Sequence, residues 1–341
     1  MSDAYAAAGV DTSEAGRGVA ALVSVLSSIE TARGSRSVLS AGHYASVLEV
    51  APNLGIALST DGVGSKLVLA EQLGRLTTVG IDCVAMNVND IVCVGAEPLA
   101  MLDYLAVERV HEGALTAIAS GLKRGAELAG VEIPGGELAV LPELIRGHPS
   151  PHGFDLCGAC FGTVALDRIV TGERCAPGDA LIGLPSSGLH SNGYTLARRA
   201  VQADDLDGPL AGYSGTLADA LLEPTTIYVK AALELLREEI PVHGLAHITG
   251  DGIRNLSRLN TAVGFRIDAP LPVPAICAHV CERAGLTRPE AYDIFNMGCG
   301  FIVVVPARHA QRALTVLEAH HRGSAQIGSV TSSNAGAAEL R

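Results

Sequence analysis

The sequence predicts a two-domain chain of mixed strands and helices, and three observations carry that reading. The chain has 341 residues, and single hydrophobic cores rarely grow past about 250–300 residues. Short apolar runs with β-branched character alternate with longer runs at helical spacing. Several of the short runs end in glycine-punctuated polar turns that lead into a helix, at residues 59–66, 185–194 and 243–252.

Composition narrows the class. The chain is 48% apolar, 18% charged and holds 39 glycines, which is globular. It has no tryptophan and few aromatics, so its core is aliphatic. The net charge of −12 argues against passive binding to nucleic acid or anionic membranes. An acidic protein that uses a polyanion must neutralise it locally, usually with magnesium. The first residues lack a basic stretch followed by an apolar core, and no apolar run approaches about 18 residues, so neither a signal peptide nor a membrane span is expected. Eight scattered cysteines in mostly apolar contexts fit buried free thiols and a cytoplasmic setting. Cys157 and Cys160 are spaced C-x-x-C but fall in a strand-like run, which predicts packing before metal or redox work.

Taken in order, residues 12–29 show a helical pattern with Asp11 or Thr12 as its cap. The loop Ala41-Gly42-His43-Tyr44 precedes the first sheet strand, and His43 is either a phosphate contact or an ordinary loop histidine. The apolar run 54–58 reads as a strand entering Ser59-Thr60-Asp61-Gly62-Val63-Gly64-Ser65-Lys66. Its glycines let a backbone approach phosphate, its aspartate can hold magnesium and its lysine can meet phosphate charge. A helix from about Asp82, stopped by Gly95 with Pro98 beyond, is apolar nearly all round and so should be buried. It nonetheless carries Asp82, Asn87, Asn89 and Asp90. Buried charge must be paired or metal-bound, which leaves a hydrogen-bond network or a metal site. The metal reading groups Asp61, Asp82 and Asp90 as a magnesium set. A strand over 99–107, a helix over 112–129 and a glycine turn at Pro134-Gly135-Gly136-Glu137 follow. A strand over 156–164 closes the first domain, with the boundary placed between 1–168 and 169–341. In the second domain, Pro185-Ser186-Ser187-Gly188-Leu189-His190-Ser191-Asn192-Gly193-Tyr194 joins a strand to a helix start and reads as an anion pocket. His247, in the third glycine turn, is either a satisfied core histidine or a site residue. The tail after Gly328 is polar and is expected to fray.

Together with Glu-Pro-Thr-Thr-Ile-Tyr-Val-Lys at 223–230 and Phe-Asn-Met-Gly-Cys-Gly at 295–300, these motifs run in order over nearly the whole chain. The chain resembles the phosphoribosylformylglycinamidine cyclo-ligase family of purine biosynthesis. The resemblance implies an α+β fold. Its N-terminal domain brings a four-stranded sheet that pairs in a homodimer barrel, with ATP between the subunits, and its C-terminal domain is an α/β layer. It implies ATP-dependent ring closure of formylglycinamidine ribonucleotide, through phosphorylation of the amide oxygen and attack by the substrate's own nitrogen. It also implies roles. ATP falls to Thr60, Asp61, Gly62, Gly64, Lys66, Asn87, Asp90 and Glu137, with magnesium on Asp61, Asp82 and Asp90. Substrate or phosphoryl contacts fall to Ser187, Gly188, His190, Ser191, Asn192 and Gly193, and His190, Glu137 and His247 stand closest to the chemistry. The chain departs from the family pattern at 41–45, at 138–142 and at Asp251, which interrupts a run of glycines. Two other readings stay open: another ATP-dependent member of the superfamily, of the selenophosphate synthetase, thiamine-monophosphate kinase or hydrogenase-maturation type, and a non-catalytic partner subunit.

Overall fold

A computed structural model describes residues 12–30, 32–39 and 42–341. The cap expected at Asp11, the side chain of Thr12 and the loop residue Ala41 lie outside the described residues. Among those described, the strands fall into two sheets. After helix α1 (Thr12–Leu26), the first sheet is built from β1 (Ser46–Ala51), β2 (Leu54–Gly62), β3 (Glu97–Val107), β4 (Glu132–Val140) and β5 (Phe154–Val164). Their order is β1-β2-β5-β3-β4. Helices α2 (Lys66–Gln72), α3 (Thr77–Cys93) and α4 (Glu112–Ala129) accompany it.

The sheet has five strands where the resemblance implies four. The added strand is β4, which contains the Pro134–Glu137 stretch read above as a turn. It lies at the sheet edge, parallel to β3, where a proline and paired glycines are tolerated because one side of the strand needs no partner. Helix α3 begins five residues before the expected Asp82 and ends at Cys93, capped by Val94 and followed by Gly95 at φ +76°. Helices α3 and α4 approach so closely that a Cβ at Gly80 would sit 2.3 Å from Leu122 N, and one at Gly121 1.8 Å from Thr77 O. Those glycines let α3 sink between α4 and the sheet, which is why it is buried around its circumference.

The second sheet holds β6 (Ala180–Pro185), β7 (Gly244–His247), β8 (Gly264–Ile267), β9 (Cys299–Val305), β10 (Ala325–Thr331) and β11 (Ala338–Leu340). Its order is β11-β8-β10-β6-β9-β7. The helices between these strands are α5 (Tyr194–Ala200), α6 (Leu217–Leu221), α7 (Val229–Arg237), α8 (Ala275–Arg283), α9 (Arg288–Ile294) and α10 (Ala310–His320). The tail does not fray as expected. Ala338 and Leu340 pair in parallel with Phe265 and Ile267 and pack on the core. One buried aliphatic cluster runs through both sheets. The eight cysteines are free thiols, and Cys160 lies buried in β5, where burial pushes its pKa up to about 12. No described helix is long and apolar enough to cross a membrane.

Candidate active site

Asp61 stands at the end of β2, where the chain leaves the sheet through Gly64, at φ +74°, into α2. Its backbone is clamped by α3: Asp61 N–H donates to Asn87 Oδ1 at 3.0 Å, and Asn87 Nδ2 donates to Asp61 O at 3.1 Å. Asn87 is fully buried and also donates to Cys83 O, 2.9 Å away. One carboxylate oxygen of Asp61 accepts from Gly62 N–H at 2.8 Å. Burial, and then the negative charge of Asp90, lift the Asp61 pKa to about 6. Two carboxylates are therefore held near each other with too little cation between them.

The neighbouring carboxylate is oriented from the second sheet. Asp90, 16% exposed, meets His247 Nδ1 at 2.9 Å, and His247 is fully buried at the end of β7. His247 Nε2 faces the Asn89 amide nitrogen at 3.4 Å. An amide nitrogen can only donate, so Nε2 is the acceptor and Nδ1 carries the proton given to Asp90. His247 is thus a positioning group behind the carboxylate.

Lys66 and Asp82 do not join that pair. Both side chains are fully buried and lie 2.8 Å apart as an ion pair between α2 and α3. Lys66 Nζ also donates to His190 O at 3.0 Å and Glu223 O at 2.7 Å, and stands 5.5 Å from the Tyr194 ring centroid. The second oxygen of Asp82 accepts from Thr225 N–H and Thr225 Oγ1, both at 2.7 Å, and from Ser191 Oγ at 3.1 Å. The pair is enclosed by the chain, with Asp82 Oδ2 engaged through the ion pair alone. The expected three-carboxylate magnesium set is therefore not assembled, because Asp82 is committed to Lys66, and Lys66 is not presented to a phosphate. In agreement, the described residues hold no group of three or more His, Cys, Asp or Glu side chains placed to bind a metal.

The loop 185–194 is likewise knit from within. His190, at φ +65° and 1% exposed, accepts Ser187 N–H at 3.2 Å and Thr226 N–H at 3.5 Å on Nε2, leaving a protonated Nδ1 without a partner. Burial, with the charge of Lys66 adding to it, holds its pKa well below the ordinary value, so the ring is neutral. Ser191 belongs to the Asp82 cluster. Ser187 Oγ donates to Pro224 O at 2.6 Å, and the Gly188 carbonyl accepts from Ser186 and Asn296. Gly193, at φ +77°, lies against Phe295, whose ring would sit 2.3 Å from any Cβ there. Asn192 is the loop member with capacity to spare, since its amide nitrogen meets only Met86 Sδ, at 3.9 Å. Thr60 Oγ1 is spent on Gly158 O at 2.9 Å.

Glu137 is not brought to this site within one chain. It pairs with Tyr104, which pairs with Cys157, on the outer face of the first sheet. Asp61 pairs with Gly158 and faces the other way, towards α3. His43 is committed too, with Tyr44 N–H at 3.0 Å on one ring nitrogen and Thr171 O at 3.2 Å on the other. Two contributors carry no assignment in the sequence reading. Thr225 lies inside the 223–230 motif, and its hydroxyl beside a proline was the available signal. Arg258, whose charge reaches Asp61 and His43, sits 5.3 Å over the Tyr44 ring and 3.5 Å from Asp251. Nothing in its local sequence marks it.

Comparison with known proteins agrees with this architecture. The family descriptions "AIR synthase related protein, N-terminal domain" and "AIR synthase related protein, C-terminal domain" match residues 42–164 and 176–341. A protein of Methanothermobacter thermautotrophicus named phosphoribosylformylglycinamidine cyclo-ligase is 47% identical over 317 residues, covering 92% of this chain and 90% of its own. One of the same name from Thermococcus kodakarensis is 45% identical over 330 residues, covering 96% and 95%. Among solved structures, thiamine monophosphate kinase from Aquifex aeolicus superposes with a TM-score of 0.63 at 15% identity, covering 95% of this chain and 96% of its own. The hydrogenase maturation protein HypE in complex with ATP gives 0.62 at 22%, covering 86% and 83%. At those identities the two structures speak for the fold alone. The α+β fold of two sheets, the motifs in order and the full-length relatives lead to one assignment: the chain belongs to the phosphoribosylformylglycinamidine cyclo-ligase family.

Proposed function

We propose that this protein closes the imidazole ring of formylglycinamidine ribonucleotide at the expense of ATP, releasing aminoimidazole ribonucleotide, ADP and phosphate. The observation that carries the reading is the Asp61–Asp90 pair, set at the end of a glycine turn in a chain whose cyclo-ligase relatives match nearly end to end. The amide oxygen of the substrate attacks the γ-phosphorus of ATP, the bond to ADP breaks, and a poor leaving group becomes a good one. The substrate's own nitrogen then attacks the activated carbon, the carbon–oxygen bond breaks, and phosphate leaves. Such transfer is catalysed mainly by positioning and charge neutralisation, so no protein nucleophile is required.

The donor set fits magnesium, which is held by one or two carboxylates together with substrate phosphates. Asp61 and Asp90 would hold it, and it would offset the charge of the triphosphate. Asn87 fixes the Asp61 backbone, and His247 fixes Asp90. Asn192 is the loop group available to substrate, while Lys66, Asp82, Ser191 and His190 hold that loop in place. We divide the chain at 1–168 and 169–341, so the site lies at the junction of the two domains.

The working unit we propose is a cytoplasmic homodimer joined through the first sheet. Leu54, Leu58, Leu102, Tyr104 and Phe161, each 37–49% exposed, share its outer face. A contiguous apolar face of this kind marks an interaction surface. Glu137 lies on the same face, so in this arrangement it reaches a nucleotide only across the interface. The test is ring closure coupled to ADP release, in wild type and Asp61→Asn. Near-complete loss in the variant supports the mechanism. An unchanged rate removes Asp61 from it, and no ring closure by the wild type overturns the function.

A further inference from the structure

We infer that Arg258 is the residue that meets the nucleotide phosphates at the Asp61–Asp90 site, held in the nucleotide-free protein by Asp251 and Tyr44. The inference rests on the nucleotide binding proposed above and starts from a gap in it. Lys66, the lysine that the sequence offers to phosphate, is sealed against Asp82. A magnesium-bound triphosphate still carries negative charge, and at this site it would lie beside two carboxylates. Phosphoryl transfer is assisted by cations clamped on the transferring group, so the cleft calls for one more.

Arg258 is placed to supply it. Strand β7 ends at His247, which meets Asp90, and the chain then runs through residues 248–251 into a 3₁₀ turn, Gly252–Arg258. Gly250 lies on the cleft, since a Cβ there would stand 3.4 Å from Asn192 Oδ1. Buried Asn255 ties the turn down. Its amide donates to Gly252 O at 2.9 Å, and its backbone carbonyl accepts from the Tyr44 hydroxyl at 3.1 Å. Tyr44 precedes β1, so Arg258 stands where the first sheet's entry loop meets the turn, its guanidinium 5.3 Å from the Tyr44 ring centroid. Its charge reaches Asp61, and a guanidinium stays charged at any working pH.

The guanidinium can exchange partners. The Arg258 side chain is 38% exposed and lies 3.5 Å from Asp251, whereas a tight guanidinium–carboxylate contact is about 2.7–2.9 Å. Asp251 makes no capping hydrogen bond at the start of the turn, so the turn does not depend on its charge. Arg254 shares Asp251 at 3.9 Å and also faces Asp293 at 3.9 Å. Tyr44 and Asp251 both fall where the chain departs from the family pattern, so the resting contacts of Arg258 are made by residues outside that pattern. Phosphate oxygens accept a guanidinium fork through two parallel N–H bonds, which a single loosely held carboxylate does not match.

The probe is a non-hydrolysable ATP analogue with magnesium, titrated calorimetrically into wild type, Arg258→Met, Asp251→Asn and the double variant. Arg258→Met is expected to weaken binding at least tenfold. Asp251→Asn releases the guanidinium and is expected to tighten binding about two- to fivefold, the worth of an exposed ion pair. The double variant should bind as Arg258→Met does, because Asp251 acts through Arg258. A residue that only packs on Tyr44 gives no tightening when its ion-pair partner is removed. Unchanged or weakened binding by Asp251→Asn therefore overturns the inference, whether or not Arg258→Met folds. Equal tightening with and without Arg258 overturns it too, since the effect would then belong to the charge of Asp251 itself. In ring-closure kinetics the KM for ATP should follow the same order, and a change confined to the KM for the ribonucleotide refutes the assignment. A wild type that binds the analogue without closing the ring fails the proposed reaction and leaves this inference standing. One that binds no nucleotide overturns both.

Discussion

Replacing Lys66 by methionine separates a structural lysine from a phosphate-binding one. The ammonium is fully buried and joins three groups: Asp82 at 2.8 Å, Glu223 O at 2.7 Å and His190 O at 3.0 Å. Methionine keeps the volume of the stem and removes all three contacts. Breaking a buried ion pair from one side costs about 3–5 kcal/mol, because the other charge stays behind unpaired. Each orphaned carbonyl adds about 1 kcal/mol. The sum, about 5–7 kcal/mol, takes up much of the roughly 5–15 kcal/mol that holds a protein folded. Urea denaturation should therefore show a large fall in midpoint. The double variant Lys66→Met/Asp82→Asn should recover a substantial part of the loss. An asparagine oxygen can still accept from Thr225 and Ser191, and its amide can donate towards the freed carbonyls. Nucleotide affinity, measured by calorimetry on whatever fraction is folded, should fall only modestly. A Lys66→Met protein with an unchanged urea midpoint but nucleotide binding weakened a hundredfold would refute this placement of Lys66.

Three further outcomes follow from the site. The pKa of Asp61, raised from 3.8 to about 6, means that the folded metal-free protein holds this proton more tightly than the unfolded chain. That contribution is intact below about pH 4 and is lost as pH rises through 6. Wild type should thus fall behind Asp61→Asn by about 2–3 kcal/mol between pH 4 and 7 in urea denaturation, and saturating magnesium should abolish the gap. His247→Phe removes the donor at 2.9 Å that orients Asp90. Magnesium affinity by calorimetry should drop about 10–100-fold, the usual effect of losing a group that orients a metal ligand. Phe161→Asp places a charge in the middle of the exposed sheet face. Sedimentation velocity should show monomer in place of dimer, and a dimer that persists would move the interface elsewhere.

Much of this site is readable from the chain alone, and the remainder is not for a definite reason. The turn after β2, the buried helix with its polar residues, and the approach of Asp61 to Asp90 follow from glycine spacing and from the cost of burying charge. The inclusion of Asp82 in the metal set fails on helix geometry. Asp82 and Asp90 lie on one helix, and eight residues at 1.5 Å each separate them by about 12 Å. Two short side chains cannot close that distance around one ion, so the spacing already held the objection. The role of Lys66 is different. Its three partners come from α3, the 185–194 loop and the segment before α7, up to 157 residues away in sequence. No local pattern reveals such a partner set. The strand that carries Glu137 is hidden for a third reason. The glycines around it read as a turn, whereas pairing with β3 turns the same residues into an edge strand.

Helix α3 explains why a buried element carries so many polar groups. Each of them takes a partner on a different part of the fold. Asp82 binds Lys66, Thr225 and Ser191, and Asn87 grips the backbone of Asp61. Asn89 donates to Thr226 O at 2.9 Å and accepts from Tyr228 N–H at 2.9 Å, while Asp90 meets His247. Hydrogen bonds fix direction and distance in a way that aliphatic packing does not. A helix held only by valine and isoleucine could slide or rotate slightly without much loss. One held by these contacts cannot move without breaking several at once. The same residues that look anomalous in an apolar sequence therefore set the carboxylate pair in register with the 185–194 loop, which is the alignment that the proposed phosphoryl transfer demands.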